Sequence, residues 1–575
     1  MSHEGGLQDL LSRNPYLSKK RLHERQLRER RVLEQSVPGS VIGPVPTASL
    51  SERVAPVVAT RVIAKLLAHG LAHHQAGKLG EAERVYRRIL ELDGRHAEAL
   101  HLLGMIAFQT GHSVAAAELI SEAILENASD DRYFTNLGNV LQKLGRLEEA
   151  IGCYRRALRL NPASVAAHGN LGLALHFSNR LEEAARSFEA ALDLAPALAL
   201  MRTNLGNTRQ AQGRLEEATE CHQRALALEP ENAEAWCNLG SVLDLQGRTA
   251  ESESAYERAL EFKPEFDAAL LNRSLLHLRK GEFALGLPGY EHRWQLQRRR
   301  IFTQPQWMGE PLNGARILLY AEQGLGDALQ FIRYLPLVRA AGGRVILEVQ
   351  PQLRRLLSGM DGIEEMISVG EPQPPFDWHC PLLSLPLAFG TEIETIPNTV
   401  PYLTVPREAA EKHAHFRWPK TGLRIGVVWA GRPEHLRDRY RSIPLPLLAP
   451  VFQRNGAHFF SLQLGSAAAE LSVEGAGKAL IDLSGAIGDM ADTAALIEHL
   501  DLLITVDTAV AHLAGALGKQ VWVMLPLVPD WRWLADREDS PWYPTMRLFR
   551  QIALEDWMPV VEALGRALEQ RIRRA

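Results

Sequence analysis

The sequence predicts a helical repeat solenoid followed by two α/β domains with parallel sheets. Three observations indicate this fold class. The first is a period of 34 residues in the first half of the chain, which is clearest in the row Gly70, Gly104, Gly138, Gly172, Gly206 and Gly240. The second is an alternation of strand and helix patterns after residue 300. The third is a proline-containing connector, from about residue 391 to 423, after which the alternation starts again.

The composition is typical of a globular chain with several domains. The chain has 575 residues, a formal net charge of -4, 46% apolar residues and 23% charged residues. This near-neutral balance gives no general reason to expect a nucleic-acid partner. The N-terminus lacks the apolar stretch that a secretory signal needs, and no apolar run reaches the ~20 residues of a transmembrane helix. We therefore expect a cytoplasmic protein.

Cysteine usage gives no indication of a metal site or a disulfide framework. The four cysteines have no CxxC spacing and no neighbouring histidine cluster; they are Cys153, Cys221, Cys237 and Cys380. We therefore expect no disulfide framework and no zinc site.

The 34-residue rows carry the residue types that paired helices need. Small residues recur in one row, bulky aromatics in another and prolines in a third: Ala82, Ala116, Ala150, Ala184 and Ala218; Tyr86, Tyr154, Phe188 and Tyr256; Pro162, Pro196, Pro230 and Pro264. Small residues let helices approach closely, aromatics fill the remaining space, and proline ends the second helix of a unit. This period and these types resemble the tetratricopeptide repeat.

The array is predicted to span residues 63–300, after a basic and mostly disordered leader at 1–60. It contains six repeats and a degenerate capping repeat from residue 267, where Ser274 replaces the glycine.

One further row in this array is polar: Asn136, Asn170, Asn204, Asn238 and Asn272. An amide both donates and accepts hydrogen bonds, so the row predicts a ladder that clamps an extended peptide. The array and the ladder together resemble the peptide-binding superhelix of O-GlcNAc transferase. The alternative is that these amides bridge adjacent helices within the array.

The second half predicts two α/β domains, at 301–405 and 406–575. Strands are expected at 315–321, 344–349, 365–369, 376–381, 424–430, 458–464, 501–506 and 521–526. Ligands of open α/β sheets bind at the carboxyl ends of the strands, so residues that follow strands are the candidate site residues.

A glycine turn follows the first of these strands, at Gly324, Gly326 and Asp327. Leu329 stands where the dinucleotide fingerprint needs glycine, and no GKS/T sequence follows, so NAD and P-loop binding are disfavoured. The turn lets a ligand approach the backbone. Asp327 is then either a base that desolvation makes effective or a plain helix cap.

Two other strand ends carry candidate residues. Asp507 and Thr508 open a helix directly after a strand, which is a natural diphosphate site, with Thr508 as a predicted N-cap. His512 lies one turn later and either contacts the donor or is a core histidine.

After the strand at 424–430, Arg441, Ser442 and His435 suit an anionic leaving group, although some neighbouring arginines must face water. The aromatic segment at 529–544 either forms a wall of the cleft or packs the edge of the domain.

Gly326-Asp327 and Asp507-Thr508 with His512 resemble the GT-B glycosyltransferases, and in particular the heptosyltransferase-like family. Together with the array, they resemble bacterial two-part proteins of the O-GlcNAc-transferase type, including flagellin-modifying enzymes. The resemblance implies a tetratricopeptide superhelix followed by a GT-B fold of two Rossmann-like domains. It also implies that Asp327 is the acceptor-activating base. The region of Arg441 and Asp507–His512 would hold the donor diphosphate, and Gln463 would border the nucleobase.

The implied reaction is an inverting, metal-independent transfer from a nucleotide-sugar donor of the hexosyl, heptosyl or N-acetylglucosaminyl type. The expected acceptor is a protein or peptide presented by the superhelix. Alternatives are a lipid or polysaccharide acceptor, with the repeats serving assembly only, and a non-catalytic interaction scaffold. Two features depart from heptosyltransferases: Pro336 comes later after the turn, and the lysine near their donor has no clear match here.

Overall fold

A computed structural model describes residues 50–296, 300–435, 437–472 and 476–574. The chain divides into two compact units, one ending at Pro230 and the other beginning at Glu231. Residues 1–49 of the predicted leader lie outside the described residues. The first helix begins at Leu50, within the last part of that predicted leader.

The first unit consists of helices in antiparallel pairs. They are α1 (Leu50–Gln75), α2 (Leu79–Leu92), α3 (Ala97–Gln109), α4 (Ser113–Glu126), α5 (Asp131–Lys143), α6 (Leu147–Leu160), α7 (Val165–Phe177), α8 (Leu181–Leu194), α9 (Ala199–Gln212) and α10 (Leu215–Leu228). Their bounds repeat with the predicted period, which confirms the helical repeat solenoid.

The predicted rows form the core of each helix pair. The alanines Ala82, Ala116, Ala150 and Ala184 are fully buried, as are Tyr86, Tyr154 and Phe188. The row glycine is needed because the aromatic lies against its backbone: a Cβ on Gly172 would be 2.7 Å from Cε1 of Phe188. In the fifth repeat His222 takes the aromatic position and packs against Gly206 in the same way.

The second unit begins with the remaining repeat helices. These are α11 (Ala233–Leu245), α12 (Thr249–Phe262), α13 (Asp267–Lys280), α14 (Phe283–Tyr290) and α15 (Arg293–Leu296). The degenerate repeat is thus present as α13 and α14, and in it Ser274 bonds the backbone oxygen of Leu270.

Two parallel sheets follow. Their strands are β1 (Arg316–Tyr320), β2 (Arg344–Val349), β3 (Ile363–Ser368), β4 (Trp378–Pro381), β5 (Leu423–Val428), β6 (Ala457–Ser461), β7 (Leu480–Asp482), β8 (Leu502–Val506), β9 (Val521–Leu525) and β10 (Met546–Arg550). The first sheet has the order β3-β2-β1-β4 and the second β10-β9-β8-β5-β6-β7. All strand pairs are parallel, as predicted.

The helices between and after these strands are α16 (Leu325–Phe331), α17 (Leu335–Ala340), α18 (Pro351–Leu357), α19 (Leu385–Ala388), α20 (Arg407–His413), α21 (Asp438–Arg441), α22 (Leu445–Phe452), α23 (Met490–Glu498), α24 (Ala509–Ala516) and α25 (Met558–Arg574). The helix predicted at 327–342 is broken into α16, a 3-10 turn and α17. Pro336 explains the break, because a proline is tolerated only in the first turn of a helix.

The last repeat helices share one hydrophobic core with the sheets. Phe283, Leu287 and Tyr290 of α14 belong to the same buried cluster as Trp531 and Trp542, which follow β9. The boundary of the compact unit therefore falls inside the predicted array and not at its end near residue 300.

Within the part of the chain that the structure describes, no helix combines the length and the apolar character needed to cross a membrane.

Candidate functional site

Asp327 lies in the first turn of α16, directly after the glycine turn that follows β1. Its Oδ2 accepts a hydrogen bond of 2.7 Å from the backbone N–H of Gly324. The carboxylate therefore does cap the helix, as the plainer of the two interpretations expected. Its other oxygen, Oδ1, is engaged by a residue of the second sheet's domain, so capping does not account for the whole side chain.

That residue is Arg532, which the sequence analysis did not single out. Its Nη2 lies 2.5 Å from Oδ1 of Asp327, and its Nη1 lies 2.7 Å from Oδ1 of Asp530. The guanidinium sits 5.4 Å from the ring centre of Phe331 and 5.0 Å from that of Trp531. Arg532 is buried, so one cation is fixed between two carboxylates and two aromatic rings.

Burial dominates the electrostatics of Asp327. Loss of solvent raises the pKa of its carboxyl above the ordinary value, and the charge of Asp530 acts in the same direction. Arg532 and the hydrogen bond from Gly324 lower that pKa but do not cancel the effect of burial. A buried carboxylate with a raised pKa is the type of group that serves as a general base. The role of Asp327 as a base remains a prediction.

The glycine turn lies against the start of α24, where the donor site is predicted. A Cβ on Gly326 would be 2.9 Å from Cδ2 of His512 and 3.3 Å from Cα of Ala509. Only glycine fits this approach without movement of the neighbours. The structure thus brings together the turn with Gly324 and Gly326 and the helix start after Asp507, which are far apart in sequence.

Thr508 occupies the N-cap position of α24, but its side chain makes no capping hydrogen bond to that helix. Its hydroxyl instead lies 3.1 Å from the hydroxyl of Thr505. Thr508 is thus the N-cap residue of α24, as predicted, but its hydroxyl is paired with that of Thr505 in β8 and not with an N–H of the helix. The first N–H groups of α24 therefore donate no hydrogen bond to the side chain of Thr508.

His512 is a buried residue with a defined partner. Its Nδ1 lies 3.0 Å from the hydroxyl of Tyr543, and its ring stacks on Trp533 with centroids 5.2 Å apart. Burial and the nearby charge of Arg532 lower the pKa of the imidazole to about 3, so the ring is neutral. These contacts favour the core-histidine interpretation over a donor contact.

Asp507 shares this electrostatic environment. Burial and the charge of Asp530 raise the pKa of its carboxyl to about 6, against the attraction of Arg441. Asp327, Asp507 and Asp530 therefore form an acidic group that is balanced mainly by Arg532 and Arg441.

The loop after β5 is tightly organised around Gly431. The backbone N–H of Gly431 donates to Oγ of Ser442 at 3.0 Å, and Nε of Arg441 donates to Oδ1 of Asp438 at 3.1 Å. A side chain at Gly431 would collide with Asp438 and Arg441. Ser442 and Arg441 thus form hydrogen bonds inside the loop and stabilise it, whereas His435 is exposed.

Gln463 supports the same loop. Its Oε1 accepts from the backbone N–H groups of Trp429 and Ala430 at 3.0 and 2.9 Å, and its Nε2 donates to the oxygens of Ala430 and Leu464. The amide is buried and fully engaged within the protein. The structure therefore favours an indirect role, in which Gln463 holds the loop, over the predicted contact with a nucleobase.

The asparagine row is half-buried, with Asn136, Asn170 and Asn204 in the first unit and Asn238 and Asn272 in the second. Three of its amides donate to the first helix of the preceding repeat. Asn136 bonds His101 at 2.8 Å, Asn170 bonds Asn139 at 2.8 Å, and Asn272 contacts the sulfur of Cys237. These bonds support the alternative in which the row bridges adjacent helices.

A second buried charge network lies next to the glycine turn. Arg293 bonds Glu291, Glu322 and Ser384, and it is almost completely buried. Burial raises the pKa of Glu322 to about 7, although Arg293 opposes this shift. A cavity of about 360 Å³ borders this network and is lined by Glu291, His292, Trp294, Gln295, Gln306 and Met308.

Charged groups of the last repeats contact the loop after β5, which belongs to the predicted donor site. Asp244 of α11 pairs with Arg279 of α13, both buried, and also lies 3.5 Å from Arg437 in the loop after β5. The backbone N–H of Ala535 donates to the oxygen of Arg279 at 2.8 Å. The C-terminal ends of these repeat helices are thus covered by segments of the sheet domains.

Sequence reasoning missed Arg532, Asp530, Arg293 and Glu322. The only available signal for the first pair was the aromatic segment at 529–544, in which charged residues alternate with tryptophans. Trp531, Trp533 and Trp542 are buried, so the segment both packs the domain and forms a wall beside Asp327. No group of three or more His, Cys, Asp or Glu side chains that could hold a metal occurs among the residues described.

Comparison with known proteins identifies the repeats. Models of the tetratricopeptide repeat match residues 67–132, 135–199 and 246–295, and also 196–265. The chain therefore carries tetratricopeptide repeats, which are protein-interaction scaffolds.

One curated relative extends well beyond a few repeats. Protein FlbA of Caulobacter vibrioides is 28% identical over 326 residues, which cover 52% of this chain and 54% of FlbA. The chain thus spans about half the length of this relative. Human tetratricopeptide repeat protein 7A is 30% identical over 88 residues, or 15% of this chain and 10% of that protein.

Similar solved structures cover only part of the chain. YrrB, a TPR protein with an unusual peptide-binding site, matches 32% of this chain and 93% of its own at 25% identity and a TM-score of 0.27. The pilF protein of Pseudomonas aeruginosa matches 37% of this chain and 96% of its own at 19% identity and a TM-score of 0.34.

Proposed function

We propose that this protein is a glycosyltransferase that moves a sugar from a nucleotide-sugar donor to a protein acceptor bound by the repeats. The observation that carries the proposal is the meeting of two strand-end features in the second unit. The turn with Asp327 lies against the start of α24, and the half-buried Asp327 carboxylate forms an ion pair with Arg532. Carboxyl strand ends of parallel sheets are where such folds bind nucleotides.

In the proposed reaction, the Asp327 carboxylate accepts the proton of an acceptor hydroxyl. The hydroxyl oxygen then attacks the anomeric carbon of the donor sugar, and the bond from that carbon to the diphosphate oxygen breaks. The electron pair leaves with the nucleoside diphosphate. Because attack and departure occur on opposite faces, the anomeric configuration inverts.

The leaving diphosphate needs positive charge or N–H groups, and two features supply them. The N-terminus of α24 presents backbone N–H groups that the side chain of Thr508 does not cap. Arg441, in the loop after β5 that Gln463 and Ser442 support, is a candidate cation, because its charge acts on Asp507. Pre-arranged donors of this kind stabilise charge that develops in a transition state.

A second candidate function arises from the asparagine row. Its amides already bond neighbouring helices at three positions, which suits an array whose task is assembly. The acceptor would then be a lipid or polysaccharide, and the repeats would bind a partner protein through another face.

Two measurements test the proposal. Thermal shift of the full chain against UDP-, ADP-, GDP- and CMP-linked sugars identifies the donor, since a ligand bound only by the native state raises the melting temperature. Release of nucleoside diphosphate from that donor is then followed with candidate protein acceptors. Transfer that Asp327→Asn abolishes supports the proposal, whereas absence of stabilisation by every donor would refute it.

Replacement of the asparagine row separates the two acceptor types. Changing Asn136, Asn170 and Asn204 to alanine should raise KM for a protein acceptor if the row is a peptide ladder. An unchanged KM, with the array still folded, would favour the second candidate.

A further inference from the structure

We propose that Arg532 is the positioning residue of the site: it reaches from the second sheet's domain and holds the Asp327 carboxylate in place by an ion pair. This inference rests on the proposed function, because Asp327 is its base. It concerns Arg532, which is not among the residues that the resemblance to known transferases implies. It also explains what holds Arg532 in place.

Several contacts together fix the orientation of the Arg532 guanidinium. One Nη group binds Asp327 and the other binds Asp530, while the Cζ atom lies 5.4 Å from the ring centre of Phe331 and 5.0 Å from that of Trp531. The backbone N–H of Arg532 also donates to Asp530 at 3.0 Å. A forked, planar cation held at both ends gives the carboxylate one orientation, which a lysine in its place could not do.

The ring that supports Arg532 is itself held by the last repeat. Trp531 contacts Phe283 and Tyr290 of α14 edge-on, with centroids 5.9 and 6.0 Å apart. On its other side it stacks on Phe331 of α16. A continuous set of packed rings therefore connects the end of the repeat array to the residue that holds Asp327.

The ion pair also sets the charge state of the base. Without Arg532, a buried carboxyl beside Asp530 would stay protonated over a wider pH range and could not accept a proton. The charged or titratable groups that face Asp327 come from four elements: Arg532 and Asp530 after β9, His435 after β5, Glu322 before α16, and Tyr290 of α14.

Three substitutions in the full-length protein test this role through the pH dependence of kcat. Arg532→Gln removes a cation that lowers the pKa of Asp327, so the acidic limb should move to higher pH by roughly one unit or more. Asp530→Asn removes a negative charge that raises the same pKa, so the limb should move to lower pH. Arg537→Gln, in the same segment, removes only an ion pair with Asp539 and should leave the profile unchanged.

Opposite shifts in Arg532→Gln and Asp530→Asn support the inference, because a merely structural residue would lower kcat without moving the limb. Equal profiles in these two variants and the unchanged protein would overturn it. If Arg532→Gln does not fold, Asp530→Asn decides alone, and a limb that fails to move to lower pH refutes the role. Absence of any transfer by the unchanged protein would instead refute the proposed function.

Discussion

The two compact units differ in how far along the chain their close contacts reach. In the first unit, the backbone of Gly172 packs against Phe188 in the same repeat. In the second, Gly326 packs against His512, and Asp327 pairs with Arg532 205 residues away. The repeats are thus built from local contacts that recur, whereas the candidate site depends on single contacts between distant segments. A periodic sequence reveals the first kind of contact and not the second.

The largest expected effect comes from separating the last repeats from the sheets. A fragment of residues 231–575 should fold, because it is the whole second compact unit. A fragment of 301–575 lacks Phe283, Leu287 and Tyr290, which share the core with Trp531. Each such buried side chain contributes about 1.5–3 kcal/mol, and typical domains have only about 5–15 kcal/mol in total.

Circular dichroism and thermal unfolding of the two fragments provide the comparison. We expect cooperative unfolding for 231–575 and none for 301–575. Equal melting temperatures would mean that the repeats are not part of the second unit's core.

Next in size are the effects of two carboxyl groups of the second unit, Asp492 and Asp507, whose pKa values are shifted in opposite directions. Burial acts against ionisation of Asp492, but bonds from Lys412, Gly488 and Arg355 outweigh it, so its pKa is lowered. Its ionised form therefore stabilises the fold above the ordinary pKa near 3.8, and this stability is lost as the pH falls. Asp492→Asn should cost about 3 kcal/mol at pH 7, since it breaks a buried ion pair, and progressively less below pH 4.

Asp507 should behave in the reverse way. Burial raises its pKa to about 6, so its contribution to stability is largest below the ordinary value of 3.8 and is lost as the pH rises through 6. Melting temperatures of Asp507→Asn relative to the unchanged protein should therefore improve from pH 4.5 to pH 7.5. A difference that does not vary with pH would contradict the assignment of a raised pKa.

A smaller effect is expected in the first unit from the row glycines. A Cβ at Gly172 would overlap the Phe188 ring, so Gly172→Ala should destabilise the unit by about 1–3 kcal/mol through overpacking. Gly152 lies in a helix with nothing within 4 Å of its Cβ position. Gly152→Ala should therefore stabilise the same unit by about 0.5–1 kcal/mol. Urea unfolding measures both, and effects of the same sign would refute the packing account.

The smallest effect concerns the asparagine row. Asn170 donates a single hydrogen bond of 2.8 Å to Asn139 and is only half-buried. Asn170→Ala should cost about 0.5–1.5 kcal/mol, which is the usual contribution of one such bond. A larger loss in urea unfolding would indicate that the row is a main structural element of the array.

Sequence reasoning predicted the parts of the fold that have a pattern. The repeats follow from their rows, and eight of the strands follow from apolar runs. The strands β7 and β10 escaped notice because one has only three residues and the other alternates arginine with apolar residues. The extension of α1 to Leu50 also had no signal, since the residues before the first repeat lack the 34-residue rows.

The candidate site was predictable only in part, for a physical reason. Asp507 could be selected because it directly follows a strand, and Asp327 because it lies at the glycine turn after one. Arg532, Gln463 and His512 have roles that depend on which segment faces them, and sequence spacing does not determine this. The resemblance places Gln463 beside the nucleobase, for example, but its amide is engaged by the backbone of Trp429 and Ala430.

The most direct test of the account is the rate of sugar transfer with Asp327→Asn beside the unchanged protein, using the donor found by thermal shift. The account predicts a loss of kcat of about 10²- to 10⁴-fold, as for removal of a general base, with donor stabilisation retained. Transfer at an undiminished rate by the Asp327→Asn variant would contradict it.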